Sequence, residues 1–297
     1  MLITSDKLVE DIKRASAIPE GGLSNQAILD IVNEEILLNL VPILKSANNE
    51  YLVEYVDVDL NNNNEPISIP SDAIANGLRE VIGIINGDTY HCSNYNIPQI
   101  GINQISNCGY EIAYYFIGNK IQLVSYSANY SPAAISSISK IRLYYERRPS
   151  ILTSTEFVSN LSSINSTRDS IEINASFTTP PLKVDIIDRD GNLTHSDIDV
   201  TVDPNNSLRL NFLTPLETTP KVGSFVSASG TSPIVNGFPQ EAMPLLKEFV
   251  VFRLMQQIEN NPAAKISAER INQLKANLLT LITPRNSGEA KIIRGYY

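Results

Sequence analysis

Residues 238–258 read FPQEAMPLLKEFVVFRLMQQI. Ala242, Leu245, Leu246, Phe249, Val250, Phe252, Arg253 and Ile258 recur at three- and four-residue steps, the period of an amphipathic helix of about five turns. Pro239 suits its start, because a first-turn N–H has no partner inside a helix. A stripe this apolar must be buried against another element. Asn260-Asn261-Pro262 breaks the pattern. A last helix is predicted from near Ser267, carrying Ile271, Leu274, Leu278, Leu281 and Ile282 and stopped by Pro284.

The other end of the chain also reads as helical. Ser5 is the expected cap of a helix to about Ile18, with Leu8, Ile12 and Ala15 on one stripe. Residues 19–22 (PEGG) interrupt it, and Ser24 or Asn25 opens a second helix with Ile28, Ile31, Val32, Glu35 and Ile36 in register. Pro42 is predicted to kink or end that helix near Val41. Helices from both ends, with β material between them, imply that the chain ends meet in one antiparallel bundle.

Between the helices the pattern changes to strands. Residues 51–60 read as a strand and residues 61–64 (NNNN) as a polar loop tip. Ser71 is expected to start a short helix to about Arg79. Residues 81–85 then lead into the turn dipeptide Asn86-Gly87. Residues 110–117 and 120–126 flank Gly118-Asn119, a two-residue hairpin signal. Residues 138–147 close this block. Residues 151–238 are rich in Ser, Thr, Asn and Pro, with short strands predicted at 170–175, 182–188, 198–202, 208–212 and 223–227, a spacing that suggests a small β-sandwich-like insertion. The expected class is therefore α+β: a helical bundle formed by N- and C-terminal helices, a central β-rich region, and an inserted small β-sandwich-like domain. The boundaries fall at 1–150, 151–238 and 239–297.

Composition narrows the function. Of 297 residues 42% are hydrophobic and 19% charged, below the roughly 25% charged of an ordinary globular domain. There is no Trp, and there are two His and two Cys, so the inventory for catalysis or metal binding is thin. No basic region followed by an apolar run opens the chain, and no stretch of about 18 apolar residues occurs, so neither a secretory signal nor a membrane span is expected. The net charge of −9 is uneven: residues 1–150 carry 17 acids against 10 bases, residues 151–238 carry 10 against 5, and residues 239–297 carry 5 against 8. An acidic body does not grip nucleic-acid phosphates.

No chemical constellation emerges. His91-Cys92 with Cys108 is the one Cys/His cluster, too few ligands for a zinc site; adjacent strand residues also point to opposite faces, which rules out a nucleophile pair. Buried thiols are expected. Asp188-Arg189-Asp190-Gly191-Asn192 resembles the start of a calcium loop, but its first ligand position would be Ile186 and its twelfth Asp197. A hairpin tip between two strands fits better. Glu34/Glu35 and Asp57/Asp59 read as solvated surface pairs. Arg147-Arg148 ends a strand, as at a partner interface. No enzymatic activity, cofactor or metal is expected. Tyr114-Tyr115-Phe116, Tyr144-Tyr145 and Tyr51/Tyr55 put aromatics on both faces of strands, either as sheet packing or as an interface.

Three stretches together carry a resemblance: VNEEILLNLVPIL (32–44) followed by YLVEYVDVDL; ISIPSDAIANGLREVIGI (67–84); and GYEIAYYFIGNKIQLV (109–124) leading to IRLYYERRPSIL (141–152), closed by the helix at 238–258. In order and pattern they resemble the head-to-tail connector (neck or ring) proteins of tailed bacteriophages, particularly crAss-like phages, over most of the chain outside about 155–235. The resemblance implies a structural virion protein, assembled in the host cytoplasm, that forms a ring of twelve copies. It would bind the portal protein on one side and further ring or tail proteins on the other, with DNA passing through the lumen. An acidic lumen would let DNA slide. A ring interface is heterologous, so each copy needs two complementary patches. Arg147 and Arg148, and the basic tail with Lys291, Ile292, Ile293, Arg294, Tyr296 and Tyr297, are the candidate partner-binding residues; the tail also reads as a frayed end. The Ser/Thr/Asn-rich block suggests an alternative, a β-rich carbohydrate- or protein-binding module of a phage tail or surface protein.

Overall fold

Helix caps and turn dipeptides set several element boundaries. The computed structural model describes residues 3–16, 22–48, 50, 52–60, 65–94, 111–126, 138–177, 179–235 and 237–282. Residues 61–64, Tyr51, Cys108 and the tail from 283 onward lie outside them. The fold is mixed α+β, 33% helix and 38% strand. It comprises two compact units: Leu52–Arg148 forms one, and Met1–Tyr51 with Pro149–Tyr297 the other. These boundaries differ from those expected at 150 and 238, since the N-terminal helices group with the last half of the chain and not with the strands that follow them.

Among the described residues the helices lie in the larger unit. In α1 (Ser5–Ser16), Thr4 and not Ser5 is the cap: its Oγ1 accepts the Lys7 N–H at 3.3 Å and its carbonyl the Leu8 N–H at 2.9 Å. In α2 (Asn25–Glu35), Ser24 Oγ accepts the Ala27 N–H at 3.1 Å, as its sequence position suggests. Pro42 does not end this helix. A π turn at Ile36–Leu40, with the Val41 N–H reaching back to the Ile36 carbonyl, joins α2 to α3 (Val41–Ala47). Proline lacks an N–H and its ring collides with the carbonyl four residues back, and the wider turn makes the room.

A 3₁₀ turn at Gln240–Ala242 leads into α4 (Met243–Gln257), and α5 (Asn261–Ile282) follows after a three-residue break. α5 starts six residues before the expected Ser267. Pro262 falls in its first turn, where a missing N–H costs nothing, and Asn260 Oδ1 accepts the Ala263 N–H at 3.4 Å. α1 and α2 each lie against α4, and α4 and α3 against α5.

The smaller unit contains two four-stranded sheets. β1 (Val53–Asp59), β3 (Ala73–Ile85), β4 (Asp88–His91) and β8 (Lys140–Arg147) make the first, in the order β1-β8-β3-β4. β2 (Ile67–Ser68), β5 (Ser93–Asn94), β6 (Glu111–Ile117) and β7 (Lys120–Tyr126) make the second, in the order β2-β7-β6-β5. Val81, Ile141, Leu143 and Tyr145 of the first share one core with Ile112, Tyr114, Ile121 and Leu123 of the second. Both hairpin signals form turns: Asn86 (φ 52°) and Gly87 (φ 92°) join β3 to β4, and Gly118 (φ 62°) joins β6 to β7. The helix expected at 71–79 is instead the irregular start of β3. Ala75 takes φ 50°, the register with β8 shifts between Ala73 and Leu78, and a Cβ on Gly77 would lie 2.8 Å from the Ile74 carbonyl oxygen. Pairing with β8 along the following strand outweighs local helix propensity there.

The insertion is a barrel and not a sandwich. β9 (Ile151–Leu152) enters it, followed by β10 (Ser159–Ile164), β11 (Ser170–Ile173), β12 (Lys183–Ile187), β13 (Leu193–Asp203), β14 (Asn206–Phe212) and β15 (Phe225–Ala228), and β16 (Thr231–Ser232) leaves it. The six strands β10-β11-β14-β13-β12-β15 close because β15 pairs with both β12 and β10. Closure removes the unpaired edges that two short sheets would expose. Leu161, Ile171, Val184, Ile186, Leu210 and Val226 fill the interior. β9 and β16 pair in parallel, and the Asn33 side chain of α2 grips β9: its Nδ2 donates to the Leu152 carbonyl (3.0 Å) and its Oδ1 accepts the Leu152 N–H (2.8 Å).

Asn33→Ala leaves that backbone N–H and carbonyl without the amide and is expected to destabilise the larger unit by about 1–3 kcal/mol. Ile186→Ala, at a fully buried barrel site, is expected to cost about 2–5 kcal/mol. Denaturant unfolding checks both, and wild-type midpoints would refute them.

Candidate interaction surface

Strand alternation gives the first sheet of the smaller unit one face for the core and one for solvent. Val56, Val58, Ile141, Leu143 and Val81 point inward. On the other face, register aligns three rows across the strands. Tyr55 lies opposite Tyr144 and Tyr144 opposite Glu80. Asp57, Arg142, Ile82 and His91 form the second row, and Asp59, Lys140, Ile84 and Thr89 the third.

Within these rows Arg142 and Lys140 each face a carboxylate. Arg142 binds Asp57 through two bonds, Nε–Oδ1 at 2.7 Å and Nη2–Oδ2 at 2.9 Å. Its guanidinium also lies 4.3 Å from the centre of the Tyr55 ring, and that ring sits 5.6 Å from Tyr144. The donated bonds of Arg142 hold the Asp57 carboxyl below the usual carboxylate range, although burial pushes it up; the same contact raises the Arg142 guanidinium. Lys140 faces Asp59 at 3.5 Å, and His91 Nδ1 lies 3.1 Å from Glu80 Oε1. Tyr55 remains 57% exposed, so an aromatic held rigid by its neighbours is presented to solvent. Exposed ion pairs add little to stability. Fixed alternating charges around an aromatic are instead a surface suited to a partner.

The doublet Arg147-Arg148 divides. Arg147 is turned into its own unit, 13% exposed, with Nε on Asp72 Oδ2 at 2.8 Å and Nη1 on both Glu54 oxygens at 3.2 Å. Burial disfavours its charge, and Glu54 and Asp72 more than offset that. Arg148 is exposed, and its N–H donates to the Asp72 carbonyl at 2.6 Å. Lys291, Ile292, Ile293, Arg294, Tyr296 and Tyr297 lie outside the described residues. The Tyr55–Arg142–Asp57 cluster is absent from the sequence reading. Its signal is the matched alternation of acids in YVDVD with bases in KIRLYYER, which pairs only once register is known.

The chemical groups are dispersed. Cys92 is buried, and burial pushes its thiol up to about 11, so it stays protonated at neutral pH. His91 projects from the other face. His195 lies between the Thr194 and Thr218 hydroxyls, at 3.1 and 3.0 Å, and burial pushes its pKa down. Among the described residues no three His, Cys, Asp or Glu side chains gather as a metal site, and no helix is long and apolar enough to cross a membrane.

Asp57 has a folded-state pKa below its unfolded value of about 3.9. The stability it brings is therefore complete above that pH and fades as pH falls through the lower folded value. Asp57→Asn is expected to melt below wild type at pH 6, with the two curves converging under strong acid. A gap that stays constant from pH 6 to pH 2 would refute this assignment.

Compared with known protein families and curated proteins, the sequence matches no family model and no curated protein.

Proposed function

We propose that this chain is a structural subunit of the head-to-tail connector of a tailed phage, a non-enzymatic virion protein that forms a ring of twelve copies. On this reading the ring sits between the portal and further ring or tail proteins, and DNA passes through its lumen without sequence-specific contact. The carrying observation is the return of the chain on itself: α1 and α2 from one end lie against α4 from the other, the order of elements on which the resemblance rests. In the proposed bundle, that return makes one helical body from both ends of the chain. The charge supports the same reading. A surface with net charge −9 lets a phosphate backbone slide past. The Tyr55–Arg142–Asp57 face supplies one pre-ordered patch of the two that a heterologous ring requires.

The second reading, a β-rich carbohydrate- or protein-binding module, is favoured by one feature. Leu182 and Leu213 flank β13 at one end of the barrel and are 84% and 72% exposed. Glycan-array binding by the full chain, without portal binding, would replace the connector reading with it.

Native mass spectrometry and electron microscopy of the chain, alone and mixed with its portal, test the proposal. A closed ring that stacks on the portal is expected, and monomers that never bind portal overturn it. Removing residues 286–297 is expected to lower ring yield with an unchanged melting temperature, because the sequence of the tail lacks core periodicity. Unchanged ring yield refutes a role for the tail in assembly.

A further inference from the structure

At the hairpin tip between β12 and β13, Arg189 is tied to the fold by a single hydrogen bond among the described residues, to the Gly223 carbonyl. Asp188 is fully engaged: its Oδ1 accepts the N–H groups of Asp190 and Asn192, both at 2.8 Å, and its Oδ2 accepts Asn192 Nδ2 at 3.0 Å. The carboxylate that precedes Arg189 is thus occupied with closing the turn, and Asp190 follows on its other side. Arg189 reaches across Gly223, its Nε 3.3 Å from the Gly223 carbonyl oxygen. The chain is shaped around this guanidinium. Gly223 has φ 85°, and a Cβ there would lie 2.1 Å from Arg189 Nη2. Arg189 overlooks a cleft of about 910 Å³ within the larger unit, lined also by Asn160, Asp190, Val222, Phe225, Ile234 and Gln240.

We propose that this groove binds an acidic peptide segment, with one carboxylate seated on the Arg189 guanidinium and a neighbouring aliphatic side chain on Val222 and Phe225. A guanidinium anchored through Nε presents its outer nitrogens as a fork, which matches a carboxylate. Lys221, near enough for its charge to act on Asp188, adds positive potential. The apolar lining, with Val222 62% exposed, fits a side chain and not a sugar–phosphate chain. Asp190 also lines the groove, so the closely spaced phosphates of an extended nucleic acid are disfavoured beside it. The inference holds whether or not the chain forms a ring, because the groove lies within one copy.

Fluorescence anisotropy with a labelled heptapeptide of alternating Glu and Leu, titrated with the full chain at low salt, tests it. Saturable binding is expected, weakened about tenfold in Arg189→Gln, the size of one charge-assisted contact. Arg189→Lys is expected to fall between, because it keeps the charge and loses the fork. Lys183→Gln makes the same charge change at the far end of β12 and is expected to bind within about twofold of wild type. The Gln-for-Glu peptide should bind about as weakly as the acidic peptide binds Arg189→Gln. Equal binding by wild type and Arg189→Gln, or by the two peptides, overturns the proposal. Tighter binding of oligo-dT that Arg189→Gln abolishes overturns it in favour of a phosphate ligand. Arg189 is exposed, so all three variants are expected to melt with wild type; a lower melt for Arg189→Gln would mark a structural role and count against the site.

Discussion

A buried carboxylate must have a cation or donors within reach, and Glu35 of α2 is 7% exposed. Arg253 of α4 meets it at 3.2 Å and reaches Glu34 at 2.5 Å, while Asn39 donates to its other oxygen. Those contacts hold the Arg253 guanidinium above its ordinary value. They also fix the rotation of α2, because Asn33 is two residues from Glu35 and must at the same time bond both backbone groups of Leu152. Three consecutive residues therefore tie α2 to the far end of the chain and to the strand that enters the barrel. Asp6 adds a parallel tie by accepting from Ser154 and Thr155, and Ser5 donates its N–H to the Pro233 carbonyl. A short helix at the start of the chain thus holds both strands that lead into and out of the barrel.

What the sequence made legible follows from the range of each interaction. Ser24 as a cap, Asn86-Gly87 and Gly118-Asn119 as turns, and the stripe of α4 are local features, and local physics fixes them. The π turn before Pro42 was not legible. Proline announces a conflict with the carbonyl four residues back, and the burial of Leu40 and Leu44 on either side decides that the helix continues. β3 was misread for a related reason. Ser71–Arg79 carries helix-favouring residues, but its partner strand lies more than sixty residues away and no local pattern reports it. Barrel and sandwich share one strand pattern, and only the double pairing of β15 separates them.

The candidate surface was half legible. Aromatics on both faces of a strand imply that one face meets something other than the core, and Tyr144 and Tyr145 do point to opposite sides. The basic doublet was a poorer guide. Along β8, Arg142 and Arg147 differ by an odd number of residues and so fall on opposite faces. Arg142 joins the exposed rows, and Arg147 turns inward to Asp72 and Glu54. Counting charges could not separate them; parity against the buried Leu143 and Tyr145 could.

The segment at 188–192 shows why acidic residues near a glycine are weak evidence for a metal. A carboxylate at the start of a tight turn has backbone N–H groups two and four residues ahead, and Asp188 takes both. Burial raises its pKa and those donors, with Asn192, lower it further than burial raises it. The Asp188 charge is held within the turn. The same turn holds Asp188 to its own backbone, Arg189 turns instead to the Gly223 carbonyl, and the left-handed Gly223 gives that arginine a place to lie. A cation whose preceding carboxylate is held by the turn, and which a residue without a side chain accommodates, is placed to meet an anion from another molecule.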